Sequence, residues 1–335
     1  MKKTFDAKIE QLAADPRANA FLLADAKDAD MAFGMAAPGV DRQGDQGGYR
    51  SLQNYREHIV ENVEQGQIDI MLMSASTCDL LARQKQHFRD SPVTPAFRAN
   101  DATDIWAAEG GQYLQQPSRP FRTASLTRSR ASVGSNSSDA LYGADLALYS
   151  ITFNNDVKRD RETLCAYTEF REEAAAVGLR HFLEVFDPNA PAAPIADVGR
   201  FVNDNIARAL AGVAGDDRPL FLKIAYHGPA ALGQLVHYDP SLIVGILGGA
   251  AGTTYDAFLQ LAEARKYGAR AALYGRMINQ AEHQGAFIQH LRLLADGELD
   301  DPAEAVKSYH AALEKRAIRP RLHLADDLET TIERT

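Results

Sequence analysis

The sequence predicts a (β/α)₈ barrel, and three observations carry that prediction. Eight short apolar or β-branched runs recur between about residues 20 and 275. Longer segments of helical period separate them, and several stop at a glycine: Gly66, Gly178, Gly215 and Gly268. An open, doubly wound sheet would alternate in the same way. Its usual marker, GxGxxG after the first strand, is absent, and AKDADMAFG follows instead. The count of eight favours closure.

In chain order the predicted strands are Ala20–Ala24, Ile68–Met73, Thr94–Ala99, Asp145–Phe153, Phe182–Phe186, Leu220–Ala225, Ile243–Leu247 and Ala271–Tyr274. The helical stretches between them include RSLQNYREHIVENVEQG, RDRETLCAYTEFREEAAAVG, VGRFVNDNIARALAGVAG and TTYDAFLQLAEARKYG. LFLKIA and LIVGIL are apolar at successive positions rather than alternate ones. That is expected of strands with helices on one face and a core on the other.

Two segments depart from the alternation within what reads as a single barrel domain over 1–335. An insertion at 107–139 is rich in Ser, Gly and Pro. Between Pro117 and Ser138 it carries four arginines, Arg119, Arg122, Arg128 and Arg130, and no acid. A solvated loop is one reading. A lid is the other, since the insertion leaves the C-terminal end of the third strand, where barrel enzymes hold their sites. The second departure is an extension at 301–335, in which DPAEAVKSYHAALEKR reads as an outer helix used for packing or a subunit contact.

Composition narrows the function classes. Lys plus Arg is 36 against 45 for Asp plus Glu in 335 residues, a net charge of −9. That balance opposes non-specific binding to nucleic acid or an anionic membrane. Hydrophobic residues at 45% and charged residues at 24% suit a chain with a substantial core. Cys78 and Cys165 lack metal-site spacing and read as small buried apolar residues. The lysines at the N-terminus precede no apolar core, and no run approaches the roughly 18 residues of a membrane span. A cytoplasmic protein acting on a small molecule, assembled as a homo-oligomer, is expected.

Chemistry concentrates at the last three predicted strands. Lys223 stands alone in the apolar LFLKIAYHGP, where a lysine either reaches out at the strand end, is paired, or is kept partly neutral by burial; a neutral amine is what Schiff-base chemistry needs. Strand seven ends in Gly248-Gly249 and strand eight in Gly275-Arg276, each followed by a helical pattern. Glycines admit an anion closely, and loops after strands seven and eight are the recurrent phosphate site of this barrel. Asp25 and Glu184 fall at the C-terminal ends of strands one and five, where a carboxylate is either an acid/base group or an ion-pair partner. Tyr226 follows Lys223 by three residues. Asn154 ends the fourth strand beside Asn155 and Asp156, either for substrate hydroxyls or for a turn. Asp101, Asp104 and Trp106 follow the third. Asp28, Asp30 and Asp41 are acids of a common loop type, the histidines are scattered, and neither a metal nor a cofactor is expected.

Lys223-Ile-Ala-Tyr226-His-Gly228, then Gly248-Gly249, then Gly275-Arg276 resembles the last three strands of the class I aldolases of archaeal type, a superfamily that includes fructose-bisphosphate, autoinducer-2 and tagatose-bisphosphate aldolases. The resemblance follows the order of elements over about 20–290 and is specific over about 220–280. It implies metal-independent lyase chemistry on a phosphorylated substrate. It implies Lys223 as the Schiff-base residue, Asp25 as an acid/base group, and Gly248, Gly249, Gly275 and Arg276 as phosphate contacts.

The departures bear on the substrate. The family follows its first aspartate with His-Gly, whereas Ala26-Lys27-Asp28 stands here. Its fifth strand carries a Trp and a proton-transferring Tyr, at positions that here hold Glu184 and Phe186. A standard fructose-bisphosphate aldolase is therefore not expected. The expected activity is a class I cleavage or formation of a C–C bond in a phosphorylated ketose or related oxo compound. The alternatives are a sugar-phosphate isomerase or epimerase and a non-catalytic barrel that binds a sugar phosphate.

Overall fold

A computed structural model describes residues 2–41, 48–127, 143–249 and 252–331. Eight parallel strands close into a barrel: β1 (Leu22–Lys27), β2 (Ile70–Met73), β3 (Thr94–Arg98), β4 (Leu146–Thr152), β5 (Arg180–Phe186), β6 (Leu222–Ile224), β7 (Val244–Leu247) and β8 (Ala271–Tyr274). Each strand pairs with its sequence neighbours, and β1 closes the ring against β8 through Leu22 opposite Ala271 and Asp25 opposite Tyr274. Every expected run is a strand, with ends differing by at most three residues.

The reason for the unbroken apolar runs is visible in the two cores. Leu22, Ala24, Leu72, Leu148, Phe182 and Leu273 fill the lumen. Leu23, Met71, Tyr149, Val185, Leu222 and Ile224 point outward into the helix layer. Successive strand residues face opposite sides, so both positions of the period are apolar.

Helix α1 (Thr4–Ala14) plugs the N-terminal end of the barrel. Its Phe5 enters the lumen core with Phe221 at 6.2 Å, and Phe221 stacks on Phe182 at 4.4 Å. Burying such a ring stabilises by about 1.5–3 kcal/mol. The outer layer is α2 (Leu52–Gln65), α3 (Val157–Ala176), α4 (Val198–Ala211), α5 (Gly228–Tyr238), α6 (Thr254–Lys266), α7 (Gln284–Asp296) and α8 (Pro302–Glu314). Side-chain caps start several of them: Ser51, Asp156, Asp197, Thr253 and Asp301 each accept from a backbone N–H in the first turn. Gly66 ends α2 at φ 68°, the left-handed position where glycine is favoured.

The third connection holds no regular long helix among its described residues. Asp101–Ala102 pairs antiparallel with Pro120–Phe121, and a short 3₁₀ turn covers Tyr113–Gln115. The segment with Arg128 and Arg130 lies outside the described residues, whereas Arg122 pairs with Glu173 of α3 at 2.6 Å. At the C-terminus α8 packs on α6 and α7, burying Val306, Tyr309 and Leu313. Cys78 is buried as expected, but Cys165 is exposed on α3, a correction that follows from its place on the solvent side of an amphipathic helix. No described helix is long and apolar enough to cross a membrane.

Candidate active site

The C-terminal mouth of the barrel holds four buried charges that face one another. The inward parity of β6 is set by Leu222 and Ile224, which point outward, so Lys223 between them points into the lumen. Register places Lys223 opposite Glu184 on β5. Its Nζ lies 2.5 Å from Glu184 Oε1. Glu184 Oε2 accepts from Arg98 of β3 at 2.9 Å and from the Ser150 hydroxyl of β4 at 2.7 Å. The same guanidinium donates through Nε to Asp28, just beyond β1, at 2.5 Å, and through Nη1 to Ser150 at 2.6 Å.

Two cations therefore balance two anions inside the barrel. Each is at most 6% exposed, so an unbalanced charge there would be costly. Burial alone would raise the Asp28 pKa, but Arg98 and then Lys223 overcome it and hold the carboxyl below its ordinary range. Asp28 is thus an ionised carboxylate. Burial likewise opposes the charge on Arg98, and the two carboxylates restore it.

Above this quartet lies a cavity of about 340 Å³, the size of a small-molecule site. Lys223, Glu184, Arg98 and Asp28 line it, with Gly248, Gly275 and Arg276 at the ends of β7 and β8. The Arg276 guanidinium sits 5.9 Å from the Phe33 ring centroid and makes no hydrogen bond or ion pair with another described residue. The glycines have packing reasons of their own. A Cβ on Gly248 would lie 2.1 Å from the Tyr274 ring, and one on Gly275 2.6 Å from the Ala26 carbonyl oxygen.

The segment after β3, together with the start of the insertion, forms the cavity's outer wall. Ile105, Asp104 and Leu114 line it. Ala107 N–H donates to Ala32 O at 2.8 Å, which ties the segment to the chain after β1. Asn189, after β5, donates to Leu114 O at 3.1 Å and Gln116 O at 2.7 Å. Trp106 packs on Phe121 at 5.2 Å.

Not every residue singled out from the sequence meets at this cavity. Asp25 is the main correction. Leu22, Ala24 and Ala26 face the lumen, so Asp25 and Lys27 face the helix layer. Asp25 accepts from Asn62 of α2 at 2.8 Å and lies 3.8 Å from the Lys27 ammonium. Burial pushes its pKa up to about 6, against the opposing pull of Lys27 and Asn62. Tyr226 also points away, its hydroxyl reaching Glu263 of α6 at 3.4 Å, and burial with that carboxylate raises its pKa. Its odd offset from Lys223 puts it on the opposite side of the extended chain.

Asn154 serves the turn: its amide donates to Asn189 at 3.0 Å, and its side-chain oxygen accepts from Ala190 N–H at 2.9 Å. Asp101 accepts from the Thr123 N–H and hydroxyl, at 2.9 and 2.8 Å, and lines no part of the cavity. Gly249 is likewise off the cavity wall. Arg98 was missed, although TPAFRAN carries the same signal as Lys223, a lone charge in an apolar strand. Asp28 was read as a loop acid, and it is the carboxylate that β1 delivers to the mouth.

Solved structures share this architecture. A fructose-bisphosphate aldolase from Slackia heliotrinireducens DSM 20476 superposes with a TM-score of 0.63 at 14% identity, over 92% of this chain and 91% of that one. The chain has the fold of the archaeal-type Schiff-base aldolases. An archaeal fructose 1,6-bisphosphate aldolase gives a TM-score of 0.61 at 15% identity, with coverage of 87% and 99%. A Schiff base forming fructose-1,6-bisphosphate aldolase gives 0.62 at 15%, with 86% and 99%. No family model matches the chain, and no curated protein matches it in sequence. At such identities the aldolase likeness is one of fold, and the activity has to be argued from the site.

Proposed function

We propose that the chain is a class I aldolase that makes or breaks a C–C bond in a phosphorylated oxo compound through an iminium on Lys223. The observation that carries this reading is the Lys223 amine, buried at the cavity floor with a carboxylate 2.5 Å away. An ammonium cannot attack a carbonyl. Glu184 is placed to take its proton, and the amine then adds to the ketone carbon with loss of water. The iminium that forms is a cation, and Glu184 and Asp28 are the anions that stabilise it. Either carboxylate can remove the proton from the hydroxyl β to the iminium carbon, which breaks the C–C bond, releases that carbon as an aldehyde and leaves an enamine on Lys223. Protonation of the enamine and hydrolysis return the free lysine.

Arg276 supports a phosphorylated substrate, because its guanidinium lines the same cavity without a hydrogen-bond or ion-pair partner among the described residues. Arginine offers a planar pair of donors to phosphate oxygens. The test is borohydride reduction in the presence of dihydroxyacetone phosphate, read by intact mass. A stable mass increase is expected for the wild type and none for Lys223→Met. A Lys223→Met variant that still cleaves or forms C–C bonds would sink the reading.

A further inference from the structure

We propose that the substrate carries one phosphate, held at Arg276, and ends in a short apolar group against Ile105, Leu114 and Phe186; the inference rests on the aldolase reading above. Two phosphates need two sets of uncommitted donors. Arg98 is buried and its three donor nitrogens are engaged by Asp28, Ser150 and Glu184. Lys223 is held by Glu184. Asp104, the remaining charge on the wall, accepts from Ser118 and Thr152 at 2.8 and 2.5 Å. Among the described residues of the cavity wall, Arg276 alone is a cation without a hydrogen-bond or ion-pair partner.

The barrel order separates the two ends of the substrate. Lys223 on β6 has β7 and β8 with Gly248, Gly275 and Arg276 on one side. On the other side come β5 with Phe186 and the segment after β3 with Ile105 and Leu114, the latter held by Asn189 after β5. A phosphate against that second wall would lose its hydration and gain no donor from the described residues there, which is unfavourable. An alkyl group there would leave water at no such loss. The wall is held in place by the Ala107–Ala32 and Asn189–Leu114 hydrogen bonds, so the apolar surface is built rather than incidental. The cavity, about 340 Å³, also lies at the small end for ligand sites.

In the synthetic direction the enamine carbon on Lys223 attacks an aldehyde carbon. One C–C bond forms, the aldehyde oxygen takes a proton, and water releases the product and the lysine. The experiment compares two acceptors with dihydroxyacetone phosphate as donor: propanal, giving one phosphate in the product, and glyceraldehyde 3-phosphate, giving two. The expected result is a kcat/KM at least about tenfold higher for propanal. Leu114→Arg, at a solvent-accessible position, should move the ratio at least about tenfold toward glyceraldehyde 3-phosphate, as a charge-assisted contact is gained. Equal or better use of glyceraldehyde 3-phosphate by the wild type overturns the proposal, and so does trapping on Lys223 without turnover of propanal. Absence of any borohydride-trapped adduct overturns the aldolase reading itself and the proposal with it.

Discussion

The two faces of β1 carry two buried charge clusters, and only in one of them do the charged groups themselves line a described cavity. On the lumen side Asp28, Arg98, Glu184 and Lys223 form a balanced quartet that opens onto a cavity. On the helix side Asp25 and Lys27 are both fully buried, with Asn62, Asn279 and Gln284 around them. There the charged forms are poorly paired: one Asp25 oxygen is buried without a hydrogen bond, and its partner ammonium is 3.8 Å away. Burial accordingly raises the Asp25 pKa and lowers that of Lys27. A shifted pKa in a buried lysine is thus no sufficient mark of a catalytic amine. Lys223 itself lines a cavity, whereas Lys27 lies behind Asn62, Asn279 and Gln284, which line another.

The largest effect that this contrast predicts is between the two lysines. Lys223→Met should reduce turnover to background, while Lys27→Met should leave kcat within about threefold in whatever fraction folds. Steady-state kinetics on both variants at matched folded concentration checks it. Next comes Glu184→Gln, which keeps shape and removes the proton acceptor beside Lys223. A fall of about a hundredfold in kcat is expected, with KM little changed. An unchanged kcat would make Glu184 a structural partner of Arg98. Arg276→Ala should weaken phosphorylated ligands by roughly ten- to a hundredfold, as one charge-assisted contact is lost. Unphosphorylated analogues should be nearly unaffected; equal loss for both would mark the arginine as structural.

The smallest effect on turnover belongs to Asp25→Asn, whose signature is in stability. With Asp25 at about 6 in the fold and near 3.8 in the unfolded chain, the native state holds a proton that the unfolded state sheds between those values. Its contribution to stability is therefore present below pH 3.8 and is lost as pH rises to about 6. The shift corresponds to about 3 kcal/mol at most. Denaturant titrations from pH 4 to 6.5 should show a fall in the wild type that Asp25→Asn lacks. Parallel curves would mean that Lys27 keeps Asp25 ionised throughout.

Fold was more legible than site, for a reason β1 illustrates. Eight apolar runs and glycine stops declare alternation, because every barrel strand must be buried on both faces. The same double burial erases the period-two signal that would say which face is which. In LADAK the charges and alanines alternate cleanly, yet either set could have faced the lumen. Small lumen residues such as Ala24 and Ala26 suit a crowded barrel interior, which leaves Asp25 and Lys27 outside. Lys223 and Arg98 stand at inward positions of their strands, and only Lys223 had neighbours that drew attention to it. Asp101 and Asn154 stand near the mouth in sequence, but their hydrogen bonds close turns, which no spacing rule anticipates.

The most direct test of the account is to map the borohydride-reduced adduct of dihydroxyacetone phosphate to a peptide of the wild-type protein. Two buried lysines compete for it in principle, and the geometry allows one. Modification of the peptide containing Lys223, with the Lys27 peptide unmodified, is the predicted result. An adduct on Lys27, or on any lysine other than Lys223, would contradict the account.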